Sequence, residues 1–282
     1  MSWPWAGAVL AATLAFCAVK AWRWRLLLGM HSRVSFRELH AAVYLGLAVN
    51  FLISHVGEVL RAAAVARRNG LAVATVFASV VIERALDFTA ILALLGIVAV
   101  AGAGLPPAVS AAAAVSAGLA AISVAVLFLL LHPPEWSVQF AGRLGGRLRP
   151  KTRERLGRQA ARFRAGLAPL MKPRLMTGAL LASAIQWGLV IAAIWASGLA
   201  VTGTVSPMAA IVTFVLIILG LTLPNSPLQI GTTQLAFVVG LGIDDVAESD
   251  AIVASLVYTS FLILPVLLAG AFVMLRQARV MR

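Results

Sequence analysis

Long apolar runs, separated by short basic or turn-forming segments, account for most of the chain. A helix that crosses a hydrocarbon core about 30 Å thick needs about 20 mostly apolar residues, because each residue adds about 1.5 Å. Runs of this kind recur from the N-terminus to the last residues. We predict five full crossings, at Trp3–Val19, Leu71–Ala101, Ala108–Leu131, Leu175–Ala200 and Ala251–Leu275.

Two further apolar stretches are broken near their middle. Residues 41–66 are interrupted at Ser54–Glu58 and have basic residues on both flanks, whereas residues 207–242 are interrupted at Pro224–Pro227 and lead into acidic residues. A single crossing at the first stretch would place one basic flank outside, although basic loops tend to stay in the cytoplasm. We therefore predict two re-entrant helical hairpins, the first entering from the cytoplasm and the second from outside. Short, tilted spans are the alternative for each arm.

Composition supports a membrane setting. The 282 residues are 61% hydrophobic and 12% charged, with a mean hydropathy of +0.97, which is more apolar surface than a water-soluble core can bury. The net charge of +13 lies between the apolar runs, as expected for residues that fix topology, so membrane lipid is favoured over nucleic acid as a partner. This distribution predicts an N-terminus outside and a cytoplasmic C-terminus. It also places Trp22 and Trp24, beside basic residues, in the membrane interface.

The strongest basic segment lies between residues 143 and 174 and is expected in the cytoplasm. Four of its cations recur at helical spacing, and Leu156, Phe163 and Leu167 supply an apolar side. An amphipathic helix on anionic lipid is therefore predicted. Nucleic-acid binding is less favoured, because no aromatic residues alternate with the charges. The cations proposed to hold anionic lipid are Lys151, Arg155, Arg158 and Arg162.

The predicted order of elements is the same in both halves of the chain, with opposite orientation. Each half contains a span, a hairpin and a second span. We predict an all-α integral membrane protein that forms one transmembrane domain over residues 1–282, with repeats at 1–101 and 175–282 joined by a connecting span and basic loop at 102–174. Inverted repeats with paired broken helices are typical of proteins that move a substrate across the bilayer.

Three charged residues interrupt the run at residues 71–101. Glu83 lies about 18 Å along the helix from Leu71, near the middle of the bilayer, where an unpaired charge costs at least about 2.5 kcal/mol. Glu83 and Asp87 share one helix face, and Arg84 is three residues before Asp87 and can reach it. The three side chains are expected to face the protein interior. They form either a brace between helices or a polar pathway.

Both hairpins carry polar groups near their breaks. In the first, Glu58 and Arg61 are three residues apart, which predicts either a salt bridge beside satisfied turn groups or a site for a polar head group. In the second, prolines free backbone carbonyls close to amide side chains, a setting in which polar ligands bind. The predicted head-group pathway comprises Asn50, His55, Glu58, Arg61, Glu83, Arg84, Asp87, Pro224, Asn225, Pro227, Gln229, Gly231 and Gln234.

Signals for enzymatic chemistry are weak. The sequence has no nucleophile elbow, no glycine-rich phosphate loop and no His-Glu-x-x-His. His55 has no accompanying set of metal ligands, so neither a metal nor a cofactor is expected. The acidic pair Asp244–Asp245 suggests a metal-dependent glycosyltransferase, but Ser249 and Asp250 fit the N-cap of the last helix better.

Several of these residues resemble the signatures of a known family. Asn50 followed by Gly57-Glu58 and Arg61, then Glu83-Arg84-x-x-Asp87, then a proline-rich break ending in Gly231, resemble those of the lysylphosphatidylglycerol synthase transmembrane-region family, the flippase-like domains. Arg23-Trp24 resembles the family's Arg-Trp pair. The resemblance implies a multi-spanning inner-membrane protein of bacteria or archaea related to lipid translocation. No soluble aminoacyl-transfer domain follows, so synthesis of lysyl-lipid is not implied.

The chain departs from the family pattern at both hairpins. Ile53-Ser54-His55 replaces a Pro and Arg before the Gly-Glu pair, and the second break has lost two glycines and an acid, with Gln234 at the acidic position. A cationic head group favours a carboxylate there, so an aminoacyl-lipid is not specifically indicated. Phospholipids, glycolipids, hopanoids and polyprenyl-phosphate derivatives are comparable candidates.

Two functional hypotheses follow from the sequence. The first is a lipid translocase that moves a polar-headed lipid between leaflets of the inner membrane. The second is a non-transporting scaffold that holds a lipid-modifying enzyme by its basic loop. Neither hypothesis assigns catalysis to this chain, and neither specifies its oligomeric state.

Overall fold

The fold is all-helical throughout the residues that the structure describes. The computed structural model of the chain describes residues 2–29, 34–53, 55–100, 150–168, 172–222 and 226–280, with four positions between residues 118 and 125. This part contains no strand. Its α-helices are α1 (Trp3–Leu28), α2 (Phe36–Leu52), α3 (Val56–Arg68), α4 (Val73–Val100), α5 (Pro150–Gly166), α6 (Pro173–Thr202), α7 (Pro207–Thr222), α8 (Thr232–Leu241) and α9 (Glu248–Val280).

Three of the described helices are long and apolar enough to cross a membrane. They lie at Trp3–Leu28, Pro173–Thr202 and Glu248–Arg276, and a shorter apolar helix lies at Pro207–Leu221. Helix α4 is also long, with 28 residues, but it contains the charged residues Glu83, Arg84 and Asp87. These elements confirm a helical membrane protein. The predicted crossing at residues 108–131 lies almost entirely outside the described residues.

Helix α1 is longer than the sequence pattern predicts. It continues for nine residues past Val19, and it buries Lys20, Arg23 and Trp24 while Trp22 stays exposed. Trp24 therefore contacts protein side chains and not lipid. The reason is helical spacing, because residues three and four apart share one face and this face turns towards the rest of the protein.

The first broken stretch forms an antiparallel helical pair, hairpin 1 (α2 and α3). At its open end the Asn69 side-chain amide donates to Glu38 Oε1 over 2.9 Å, and near its tip the Gly57 amide donates to Asn50 Oδ1 over 2.7 Å. Between these bonds the arms touch at Gly46 and Gly57, where a Cβ on Gly57 would overlap the Gly46 carbonyl. Glycine is therefore required for this close approach.

The second broken stretch forms hairpin 2 (α7 and α8). As in hairpin 1, hydrogen bonds join its two arms at the end opposite the tip. At its open end, Asp244 accepts from the Ser206 amide at 2.5 Å and from the Ser206 hydroxyl at 2.9 Å, which fixes the N-cap of α7. The Ser206 hydroxyl thus caps α7 by accepting from the Ala209 amide, and Asp244 holds Ser206 in place. Ser249 and Asp250 lie inside the first turn of α9 instead of at its N-cap. The predicted placement of acids at the start of α9 is present, with Glu248 and Asp250 in its first turn, but the predicted N-cap residues are not at the cap.

The two halves of the described chain use the same helix pairings. Helices α1 and α6 pack against each other, and each contacts the first arm of the hairpin that follows it. Helix α3 contacts α4 as α8 contacts α9, and α2 contacts α9 as α7 contacts α4. Pro265 lies inside α9. Helix α5 packs on α4.

The apolar core has its largest cluster in the second half and a second cluster that joins hairpin 1 to α1 and α4. Its largest cluster joins α6, α7, α8 and α9 around Phe214, Phe237 and Tyr258. A smaller cluster contains Phe51 from hairpin 1, with Leu228 from the tip of hairpin 2 packed against it. The tips of the two hairpins therefore approach each other.

Candidate functional site

Glu83 is the centre of a buried set of charges. Its side chain is 0% exposed and accepts hydrogen bonds from Arg61 Nη2 at 2.6 Å and Arg23 Nη2 at 2.9 Å. Lys20 Nζ forms a third ion pair with the same carboxylate. The prediction that the α4 charges face the interior is confirmed for Glu83, which joins α1 and α3 to α4. We call this group, with the residues added below, the ion cluster.

Asp87 extends the ion cluster by one turn of α4. Arg23 Nη1 donates to Asp87 Oδ1 over 2.6 Å and to the Ser183 hydroxyl over 3.0 Å, which adds α6 to the cluster. The predicted contact between Arg84 and Asp87 is present, with Arg84 Nη2 2.7 Å from Asp87 Oδ2. Four helices therefore meet at two carboxylates one turn apart.

Trp24 packs against Arg61 on one side of the ion cluster. Its indole Nε1 donates to the Ser79 hydroxyl over 2.8 Å, and the Arg61 guanidinium carbon lies 4.4 Å from the centre of its ring. A guanidinium over an indole face is held by the ring quadrupole as well as by van der Waals contact. Arg61 is therefore fixed between Trp24 and Glu83.

Glu58 and Arg61 do not form the salt bridge that their spacing predicts. Arg61 points to Glu83, while Glu58 Oε1 lies 3.3 Å from Arg84 Nη1. The reason is burial, because Arg61 lies on the inner face of α3 and Glu58 nearer its edge. The Arg84 side chain is 38% exposed and that of Glu58 is 15% exposed. This pair is the part of the ion cluster that reaches the surface.

The tip of hairpin 1 is shaped by local hydrogen bonding and backbone strain. Asn50 satisfies the Gly57 amide, as described above. His55 is exposed and adopts φ of 66°, a conformation that non-glycine residues seldom take. Within the described residues no group of His, Cys, Asp and Glu side chains is arranged to hold a metal ion. His55 is thus a strained tip residue without a ligand set.

The tip of hairpin 2 is also strained. Leu228 and Gln229 both have φ of 60°, and the Gly231 amide donates to Gln234 Oε1 over 2.7 Å. Pro227 begins the short 3₁₀ turn that precedes Gly231. No hydrogen bond or ion pair joins Gln229 or Gln234 to the ion cluster in the described part of the chain. The predicted pathway residues Pro224 and Asn225 lie outside it.

Three members of the site were not predicted from the sequence. Lys20 and Arg23 were interpreted as topology signals, and Ser183 was not singled out. A signal was available for the first two, because Lys20, Arg23 and Trp24 lie on one helix face, whereas Trp22 and Arg25 lie on the other. Ser183 carries no such signal, since a serine in an apolar helix commonly bonds its own backbone.

The predicted basic helix is present as α5. Its outward cations are exposed, and Arg158 pairs with Glu154 one turn away. The helix is attached to α4 through the Thr75 hydroxyl, which donates to the Arg162 carbonyl over 3.0 Å, and through buried Leu167. Leu156 is 53% exposed, whereas Phe163 and Leu167 pack against the rest of the protein. The exposed cations are Lys151, Arg155, Arg158 and Arg162.

Comparison with known proteins places this geometry in a family. The family model described as lysylphosphatidylglycerol synthase TM region matches residues 1–270 of the chain. Neither the curated proteins nor the solved structures gave a match. The matched region is a transmembrane region and not a catalytic domain, and it includes every member of the ion cluster. The chain belongs to the lysylphosphatidylglycerol synthase TM-region family.

Proposed function

We propose that this protein moves a polar-headed lipid between the leaflets of the bacterial inner membrane. The observation that carries the proposal is the ion cluster, which is buried among four helices and reaches the surface at Arg84 and Glu58. Charged groups at bilayer depth are costly and usually line substrate or ion pathways. A brace between helices needs no exposed member, whereas a head group needs an entrance.

The hairpins support a translocase architecture. Helix α3 has 13 residues and α8 has 10, so they measure about 20 Å and about 15 Å and are too short to cross a 30 Å core. Both hairpins are closed at one end by polar bonds and meet near their tips. We infer that hairpin 1 enters from the cytoplasm and hairpin 2 from outside. The equivalent helix pairings in the two halves favour an inverted repeat.

The proposed path runs from the surface of hairpin 1 towards the tip of hairpin 2. Residues of the ion cluster hold the head group on one side of the midplane, and polar tip groups receive it on the other. The packing of Leu228 against the Phe51 cluster supports this order. The groups proposed at the second tip are Pro224, Asn225, Pro227, Gln229, Gly231 and Gln234. The basic face of α5 concentrates anionic lipid beside α4.

A double substitution separates pathway from brace. Replacing Arg84 and Glu58 together by leucine removes one cation and one anion at the exposed edge, while Glu83 keeps Lys20, Arg23 and Arg61. We expect the protein to fold and to lose at least about 90% of its lipid movement in proteoliposomes, because an apolar edge cannot replace head-group hydration. Arg68→Leu with Glu38→Leu removes a more exposed pair at the open end of hairpin 1 and serves as the matched control.

The readouts are thermal melting in detergent and fluorescent-lipid movement measured with a dithionite quench. A folded Arg84→Leu, Glu58→Leu protein with undiminished lipid movement would remove the ion cluster from the pathway. Wild-type liposomes that move no lipid of any class would remove the translocase itself.

Membrane topology is tested by thiol labelling from outside intact cells. Cys17 is buried, so single cysteines introduced at exposed Arg67, Thr204 and Gly157 report their own positions. We expect Thr204→Cys to react with an impermeant maleimide and the other two to react only after permeabilisation. Labelling of Arg67→Cys from outside would show that hairpin 1 does not return to the cytoplasm.

A scaffold for a lipid-modifying enzyme is the second candidate function. The observation in its favour is the exposed basic helix α5, held on α4 by both a hydrogen bond and apolar packing. This function requires no lipid movement. It predicts that charge reversal on α5 impairs the modified lipid's production in cells, while Arg84→Leu with Glu58→Leu leaves production unchanged.

A further inference from the structure

The charges of the ion cluster do not balance. Four cations, Lys20, Arg23, Arg61 and Arg84, contact three carboxylates, Glu58, Glu83 and Asp87. The described part of the cluster therefore carries one unmatched positive charge. Of the ten acidic residues in the sequence, Glu135 alone lies outside the described residues.

Hydrogen bonding shows the same excess on the donor side. Three buried N–H groups, Arg23 Nε, Arg61 Nη1 and Arg84 Nε, have no hydrogen-bond partner among the described residues, against one buried acceptor of the cluster, Asp87 Oδ2. All three guanidinium groups approach Glu83 to within 4 Å. Buried donors without acceptors are rare, because the lost hydration is not replaced. Donors and charge are therefore in excess at the same place.

We infer that the ion cluster binds one monoanionic group, and that the lipid it accepts carries a phosphodiester with no compensating cation. This inference deepens the proposed function. It rests on the proposed function only in taking the bound ligand to be a lipid. A phosphodiester supplies one negative charge and several acceptor oxygens, which match one surplus cation and unpaired guanidinium donors. A head group with an added ammonium carries no net negative charge and restores the imbalance. The entrance at Arg84 gives the anion access.

Equilibrium binding to the purified full chain in dodecyl maltoside tests the inference without transport. The probes are dihexanoyl phosphatidylglycerol, dihexanoyl phosphatidylcholine, hexyl glucoside and inorganic phosphate. We expect phosphatidylglycerol near 100 Kd to raise the melting temperature by roughly 5 °C, with no shift from phosphatidylcholine or the glucoside. If inorganic phosphate also raises the melting temperature, the site binds the phosphate group directly. If only phosphatidylglycerol raises it, the glycerol or acyl parts are also required.

Variants that change the charge of the ion cluster should change the affinity for phosphatidylglycerol in opposite directions. Arg84→Gln removes the surplus charge and should weaken phosphatidylglycerol binding at least about tenfold, whereas Glu58→Gln adds a second surplus charge and should strengthen it about tenfold. Arg84→Lys keeps the charge and should stay within about threefold of wild type. Arg68→Gln, on the exposed end of the same hairpin, is the control and should not alter affinity.

The outcomes separate this inference from the translocase proposal. Equal shifts from the glucoside and phosphatidylglycerol, or unchanged phosphatidylglycerol affinity in both Arg84→Gln and Glu58→Gln, overturn the anion site. If Arg84→Gln does not fold, the Glu58→Gln arm decides alone. Protein that binds phosphatidylglycerol but moves no lipid in liposomes keeps the anion site and removes the translocase. Protein that moves glycolipid without binding phosphatidylglycerol keeps the translocase and removes the anion site.

Discussion

The two hairpins are built alike and both pack through apolar clusters, but only hairpin 1 is also attached by ion pairs. Hairpin 1 packs on α1 and α4 through a buried apolar cluster and is also attached by charges, with Arg61 on Glu83 and Glu58 on Arg84. Hairpin 2 is attached by apolar packing, with Phe214 and Phe237 in the largest core cluster. Each is closed at its open end by a carboxylate, Glu38 in the first and Asp244 in the second.

This difference indicates how the work is divided between the halves. Apolar packing is non-directional and tolerates exchange of similar side chains. Ion pairs in low dielectric are directional and fail when one partner is removed. Hairpin 1 is thus the element whose position depends on charge as well as on packing, so a ligand that alters the charge can alter its position.

The largest expected effect comes from the centre of the ion cluster. Glu83→Gln leaves Lys20, Arg23 and Arg61 without their shared anion, and the cost of stranded buried charge is about 3–5 kcal/mol of unfolding free energy. Denaturant unfolding in mixed micelles measures it. Glu154→Gln, which breaks an exposed pair on α5, is the control and should cost less than about 1 kcal/mol. Equal losses in the two variants would contradict charge-based attachment of hairpin 1.

A smaller effect is expected where the arms of each hairpin touch. In hairpin 1, Gly57→Ala drives a methyl group into the Gly46 carbonyl, and in hairpin 2, Gly240→Ala drives one into Thr213. Overpacking of this kind costs about 1–3 kcal/mol. The expected distinction is functional, because only Gly57→Ala displaces Arg61 and should slow lipid movement. Gly188→Ala, with open space around it, is the control and should be neutral or mildly stabilising.

The closing bond of hairpin 2 should contribute somewhat less. Asp244→Ala removes two acceptors for Ser206 at the start of α7, and loss of such a cap costs about 1–2 kcal/mol. Thermal melting is the measurement, with Asp245→Ala as control, since no hydrogen bond from its side chain is found in the described part of the chain. A larger loss than for Glu83→Gln would show that hairpin 2 depends more on polar bonds than its packing indicates.

The smallest effect is expected at the closing bond of hairpin 1. Glu38 accepts from Asn69 at 2.9 Å and lies 3.6 Å from Arg68, whose side chain is 59% exposed. Exposed pairs contribute little, so Glu38→Ala should cost about 0.5 kcal/mol and leave lipid movement unchanged. Thermal melts and the proteoliposome assay together check this. A loss above about 2 kcal/mol would show that Glu38 holds the hairpin despite its exposure.

Much of this arrangement was predictable from the sequence. Apolar length gave the long helices, and the breaks at residues 54–58 and 224–227 gave two helical pairs, because glycine, proline and polar residues end an apolar helix. The four-residue spacing of Glu83 and Asp87 gave their shared inward face. These features depend on local periodicity and on the cost of charge in lipid.

The choice of ion partners was not predictable in the same way. Glu58 and Arg61 have ideal helical spacing for each other, yet tertiary packing gives Arg61 to Glu83 and Glu58 to Arg84. Lys20 and Arg23 lie about 60 residues from Glu83, and one sequence contains no measure of which helices pack together. The basic residues beside Trp22 also fit a topology signal equally well.

The distance along the chain between Glu83 and its partners has a consequence for biosynthesis. Lys20 is made 63 residues before Glu83, and Arg23 is made 160 residues before Ser183. At about 5 to 20 residues per second, Lys20 waits roughly 3 to 13 s for its carboxylate. Meanwhile its ammonium has to reach the aqueous boundary, as long basic side chains do by extending along the helix. We therefore expect the first helix to reach its final depth in the membrane only after the fourth helix has been translated.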